Sequence, residues 1–287
     1  MAPTNNHALK NHRSLIVGGS SGIGYATAKL MVTDGAIVTL AGRGEDKLKA
    51  AAAALQPIAQ QAGGAVRYAV CDVMQGIDVR RAVEIACADG PLNSAVTVPG
   101  GGHYSPVLAY DDDGFSEEVD MNVRPQYLVL KYAGLAMVRS GKGGSIIAIS
   151  STAAKFSCRY LASYAAGKAA VNHLVHVAAD ELGEKNIRVN AVGPGLTRTA
   201  VTEPLIGIPG LADSFLELQP IKRLGEADDQ AQMIRFLAGP ESSWITGQCI
   251  EVDGGHTLRS FPVNKDMVKM VVGAAVFDAA ERGEIAR

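Results

Sequence analysis

Aromatic side chains are scarce in this sequence, at 5% of 287 residues with a single tryptophan, so its core must be aliphatic. Cysteine is scarcer: Cys71, Cys87, Cys158 and Cys249 are widely scattered, with neither the paired spacing of a zinc site nor a redox CxxC. No uncharged apolar run approaches the eighteen or so residues that span a bilayer, which argues against a membrane protein. There is no block of lysine and arginine, and 27 basic residues face 29 acidic ones for a net charge of −2, which disfavours a nucleic-acid groove. Met1 to Arg13 is polar and has no apolar segment leading to a cleavage site, so the expectation is a cytoplasmic protein with a polar N-terminal arm over 1–13.

What the chain does contain is alternation. Short β-branched runs at Leu15 to Val17, Ala36 to Leu40, Val66 to Val70, Ala95 to Val98, Ser145 to Ile149, Arg188 to Val192 and Gln248 to Val252 predict seven strands. Helical periods fill the gaps, at Gly22 to Thr33, Glu45 to Gln61, Val79 to Ala88, Asp113 to Arg139, Tyr160 to Leu182 and Ala227 to Leu237. This is the pattern of one doubly wound α/β domain, a seven-stranded parallel sheet with helices on both faces, over residues 14–258. Within it, 199–220 is long for a connection and carries apolar Leu205, Ile206, Ile208, Leu211, Phe215 and Leu216, so it is read as a substrate lid. Beyond it, the tail 259–287 contains a docking helix predicted over Asn264 to Arg282.

The first strand runs into LIVGGSSGIG. A glycine turn between strand and helix suits a pyrophosphate, because it offers free backbone N–H groups and the positive end of the helix dipole. The expected phosphate-binding residues are Gly18, Ser20, Ser21, Gly22, Ile23 and Gly24. No Gly-Lys-Ser/Thr follows, so the spacing is not that of a P-loop and nucleotide hydrolysis is disfavoured. The second strand ends in Gly42-Arg43 where an acidic residue would hold a ribose hydroxyl; a planar cation there suits a 2′-phosphate, favouring NADP, with NAD as the alternative.

Tyr164 and Lys168 stand four apart on a predicted helix and share a face. A nearby ammonium is expected to lower the phenol pKa toward that of a useful proton donor. Ser151 ends the fifth strand, at the sheet edge where ligands of such folds bind. His173 and His176 lack a third ligand for zinc, Glu117, Glu118 and Asp120 read as a solvated helix face, and Trp244 reads as core packing.

Together these residues resemble the short-chain dehydrogenase/reductase family over roughly Ser14 to Leu258. The resemblance rests on the GxxxGIG turn, Asp72-Val73, Asn122 in VDMNV, Ser151, YxxxK, NAVGPG (Asn190 to Gly195) and ITGQCIEVDGG (Ile245 to Gly255). It implies an oxidoreductase that moves hydride between a nicotinamide and a secondary alcohol or ketone, as a homotetramer or homodimer. It also implies Tyr164 as general acid/base, Ser151 as orienter of the substrate oxygen, Lys168 on the nicotinamide ribose and Asn122 as holder of a relay water. Asp72 and Val73 would face the adenine, Gly100 would belong to the cofactor floor, and Pro194, Gly195, Thr197 and Thr199 would hold the carboxamide. Two departures stand out: Val17-Gly18 replaces Thr-Gly, and Thr97-Val98-Pro99-Gly100 replaces Asn-Asn-Ala-Gly, which is expected to alter the pocket's shape. The lid composition suggests a hydrophobic or cyclic substrate. A dehydratase or epimerase, and a cofactor-binding scaffold without chemistry, are the competing readings.

Overall fold

The computed structural model describes residues 8–262 and 264–285. Its strands are β1 (Arg13–Val17), β2 (Ile37–Gly42), β3 (Ala65–Val70), β4 (Ser94–Thr97), β5 (Gly144–Ile149), β6 (Ile187–Pro194), the two-residue β7 (Thr197–Arg198) and β8 (Gly225–Glu226), and β9 (Cys249–Val252). Seven form one sheet in the order β3-β2-β1-β4-β5-β6-β9, every pairing parallel, while β7 and β8 pair with each other. The helices are α1 (Gly22–Thr33), α2 (Glu45–Gln61), α3 (Gly76–Ala86), α4 (Asp112–Ser140), α5 (Ala162–Gly183), α6 (Glu203–Ile206), α7 (Leu211–Leu218), α8 (Ala227–Ala238), α9 (Lys265–Val272) and α10 (Ala274–Arg282).

Strand alternation explains the two cores. Leu15 and Val17 point to one face and Ile16 to the other, and in β5 Ile146 and Ala148 oppose Ile147 and Ile149. One face is covered by α3, α4 and α5 through Val79, Val129 and Val171, the other by α1, α2 and α8 through Ala28, Leu48 and Ile234. The order reverses between β1 and β4, which opens a crevice at the carboxyl ends of the strands.

Several local expectations need correction. Residues 1–7 of the expected arm lie outside the described residues, while Leu9 is fully buried, its N–H bonded to Asp34 O at 3.2 Å, and Arg13 already belongs to β1. Tyr160 does not begin α5, because its φ of 70° is left-handed. The tail makes two helices where one was read, since Gly273 at φ 90° and ψ 138° leaves helical geometry between α9 and α10. Trp244 is 99% exposed and packs in no core. The segment 199–220 contains α6 and α7, and Leu211 and Phe215 of α7 are buried with Met267, Val268 and Phe277 of the tail.

Candidate active site

The βα turn after β1 is as tight as its glycines imply. A side chain at Gly24 would collide with the carbonyl of Gly18, so α1 can approach the strand only with glycine there. Ser21 occupies the N-cap of α1 without a side-chain cap bond, and the first turn holds no acidic residue. Its N–H groups are therefore uncontested by an internal anion, which fits a phosphate. Gly22 faces Thr199: a Cβ there would meet Thr199 Cγ2 at 3.4 Å, so the glycine turn and the expected carboxamide segment flank one crevice.

The remaining expected cofactor residues share that edge. Arg43 directly follows β2, is exposed, and makes no ion pair among the described residues. Asp72 lies past the end of β3, accepting the Met74 N–H at 3.0 Å, next to buried Val73. Pro194 ends β6, with Gly195 behind it and Thr197 in β7. Pro99 disturbs less than its chemistry suggests. The last ladder bond of the region is donated by Val98 to Val17 O at 3.0 Å, so the missing N–H of Pro99 falls beyond the sheet, and its carbonyl accepts from Gln126 Nε2 at 3.1 Å.

Opposite the crevice, α5 presents Tyr164 and Lys168 on one face. The Lys168 Nζ donates to Ile149 O at 2.8 Å and lies 5.7 Å from the centre of the Tyr164 ring. A Cβ on Gly100 would stand 2.7 Å from both Lys168 Nζ and Asn122 Oδ1, so the backbone after β4 threads between those two side chains. Ser151 is 8% exposed; its oxygen accepts the Ala153 N–H at 3.1 Å, which leaves its hydroxyl proton free to donate. The amide of Asn122 is committed to the protein, donating to Gly101 O at 2.7 Å and Glu118 O at 2.9 Å and accepting Gly101 N–H at 3.1 Å.

The electrostatics reverse one expectation. Burial pushes the Tyr164 phenol up, the nearby Ser151 hydroxyl draws it back, and the charges of Cys158 and Glu118 push it up further. Lys168 is itself pushed down to about 8, again by burial. The ammonium does not set the phenol low, because a buried site penalises both charged forms together. What the protein alone provides is a protonated phenol beside a lysine of reduced basicity.

Sequence reasoning missed Glu118. It is 5% exposed, accepts the Ser163 hydroxyl at 2.7 Å and pairs with His103, whereas its neighbour Glu117 stands in solvent. Only the position of Glu118 one turn before Asn122, on the same helix face, could have signalled this.

Comparison with known proteins agrees with the architecture. The sequence model of a family described as enoyl-(acyl carrier protein) reductase matches residues 17–257. A 2,5-dichloro-2,5-cyclohexadiene-1,4-diol dehydrogenase of Sphingobium indicum is 34% identical over 255 residues, covering 87% of this chain and 98% of the relative. A short-chain type dehydrogenase/reductase from Mycobacterium ulcerans superposes with a TM-score of 0.89 at 38% identity, covering 94% of this chain and 98% of that one. A 7α-hydroxysteroid dehydrogenase, solved with NADH and 7-oxo glycochenodeoxycholic acid, gives a TM-score of 0.82 at 30% identity over 92% of this chain and all of that one.

Proposed function

This chain belongs to the short-chain dehydrogenase/reductase family and is an oxidoreductase, and from that premise we propose that it interconverts a secondary alcohol and a ketone with NADP(H), Tyr164 carrying the proton. The observation that carries the reading is the convergence of Ser151, Tyr164 and Lys168 across the crevice from an anion-receptive glycine turn. Gly18, Ser20, Ser21, Gly22, Ile23 and Gly24 would hold the pyrophosphate, and Arg43 the 2′-phosphate. Asp72 and Val73 would flank the adenine, Gly100 and Lys168 the nicotinamide ribose, and Pro194, Gly195, Thr197 and Thr199 the carboxamide.

Hydride at the substrate carbon is the chemistry that a nicotinamide would supply when held by these residues. As the carbonyl oxygen gains charge, Tyr164 gives it a proton, and the free Ser151 hydroxyl donates a second hydrogen bond that orients it. A phenol held protonated by burial suits the reducing direction. Lys168 sits where its ammonium can serve a ribose hydroxyl while staying close to the phenol.

For substrate, the partly buried aromatic side chains Tyr104, Phe156 and Phe261, in the apolar cluster that also holds Tyr164, support a hydrophobic or cyclic ketone. Relatives named for a cyclohexadiene diol and a hydroxysteroid are consistent with that class. Self-association into a dimer or tetramer belongs to the same reading, supported by exposed Trp244 preceding the edge strand β9. Among the described residues no helix is long and apolar enough to cross a membrane.

Fluorescence titration with NADPH and with NADH tests the cofactor assignment. NADPH is expected to bind at least about tenfold tighter, a difference near 1.4 kcal/mol, and Arg43→Ala to remove that preference while leaving NADH affinity unchanged. Equal or tighter binding of NADH by the unaltered protein would overturn it.

A further inference from the structure

A carboxylate buried beside a tyrosine needs an account, and Glu118 has partners from three parts of the chain. From α5, the Ser163 hydroxyl donates to Oε1 at 2.7 Å. From the loop after β4, the His103 backbone N–H donates to Oε2 at 3.3 Å, and the His103 ring Nδ1 pairs with that same oxygen. From α4 itself, Asn122 links the Glu118 carbonyl to Gly101.

The loop so held reads Gly100-Gly101-Gly102-His103. Three consecutive glycines lose more conformational entropy on ordering than any other tripeptide, so this loop requires external restraint to keep one shape. Glu118 and Asn122, four apart on one helix face, supply it. The restrained loop then meets the reacting side chain. A Cβ on Gly102 would lie 2.6 Å from Tyr164 Cβ, 2.8 Å from its Cγ and 2.9 Å from Glu118 Oε1, so the Gly102 backbone is wedged between ring and carboxylate.

We propose that Glu118 is a positioning residue for the reaction: with His103 and Ser163 it holds the glycine loop against Tyr164 and sets the local charge that the phenol faces. The proposal rests on Tyr164 being the acid/base group. The other titratable or charged groups facing Tyr164 are Lys168 on its own helix, Cys158 before that helix, and Tyr104 in the glycine loop; Glu118 is faced in addition by Tyr110. Glu118 adds negative charge next to the phenol and so favours its protonated form, while the His103 backbone and side chain hold that carboxylate in place.

The test compares two variants, one that changes the charge beside the phenol and one that changes the restraint on the loop. Glu118→Gln keeps an oxygen for Ser163 but removes the charge, so the alkaline limb of activity should move to lower pH by about half a pH unit or more. His103→Ala lies on an exposed side chain and should fold regardless. It removes a restraint on the loop and leaves the Glu118 charge in place, so the limb should stay where it is, with kcat falling about tenfold through the loosened loop. NADPH oxidation with cyclohexanone as probe reads both. Where turnover of that probe is too slow, ultraviolet titration of tyrosinate, taken as the difference between each protein and its Tyr164→Phe counterpart, reads the same midpoint without substrate. A displaced midpoint in Glu118→Gln beside an unmoved midpoint and a lowered kcat in His103→Ala supports the proposal; an unmoved midpoint in Glu118→Gln, or an undiminished kcat in His103→Ala, overturns it. If Tyr164→Phe turns over as fast as the unaltered enzyme, the acid/base reading itself is wrong, an outcome distinguishable from unmoved midpoints alongside an inert Tyr164→Phe.

Discussion

At the scale of single residues, the site is expensive to build. Lys168 is 2% exposed and pushed down to about 8 from the usual 10.5, so the unfolded chain binds a proton that the folded chain releases between those values. Stability should therefore rise with pH from about 8 to about 10.5, and below pH 8 the full cost is present. Lys168→Met should remove it, raising stability at neutral pH by about 1–3 kcal/mol after the lost bond to Ile149 O, while abolishing turnover. Urea midpoints across that range check this: the unaltered protein should gain on the variant as pH rises. That Tyr164 and Lys168 come together was legible because they stand four apart on one helix. The direction in which Tyr164 is perturbed was not, because it depends on how much of the chain covers the ring. Glu118 was hidden for the same reason: beside Glu117 and Asp120 it looks solvated, and its burial comes from His103 and Ser163, 15 and 45 residues away.

At the scale of elements, strand and helix positions followed from periodicity to within a few residues, since each buried face imposes its own repeat. Where tertiary contacts decide, the pattern ran out. The apolar positions of 264–282 continue at helical spacing straight through Gly273, so nothing local announces the break; the break lets α9 and α10 fold onto each other and onto α7. Likewise the apolar residues of 199–220 read as a surface facing a substrate, yet Leu211 and Phe215 are buried against the tail. Phe277, 4% exposed and 5.7 Å from the Tyr160 ring, is a central contact there. Phe277→Ala should cost this cluster about 3–5 kcal/mol of local stability, and limited proteolysis should then cut within 199–220 much faster. Global melting should change far less, because the cluster is separate from the two cores on the sheet. Equal protease sensitivity would contradict this division.

At the scale of the whole molecule, a seven-stranded parallel sheet with helices on both faces was legible because strands and helices alternate along the chain. The attachment of the N-terminal residues was not. Polar sequence suggested an arm over 1–13, but Leu9 is fully buried and His12 half-buried, its Nε2 3.0 Å from Ser94 Oγ. Burial, then the nearby Arg235 and Arg188, push its imidazole down from 6.5 to about 4. In that window the unfolded chain takes up a proton that the native state refuses, so stability should fall as pH drops from about 6.5 to about 4, by at most roughly 3 kcal/mol. His12→Gln should flatten this part of the acid profile when urea midpoints are compared at about pH 7 and about pH 5.

The central claim is that Tyr164, in a crevice at the carboxyl edge of the sheet, transfers a proton to a ketone oxygen as hydride arrives at its carbon. The direct measurement is the stopped-flow loss of NADPH absorbance on mixing with a panel of cyclic ketones, for the unaltered protein and for Tyr164→Phe, with NADPH affinity measured alongside by fluorescence. The prediction is a fall of at least about a hundredfold in the reduction rate with NADPH binding within about twofold of the original. An undiminished rate in Tyr164→Phe would contradict the account.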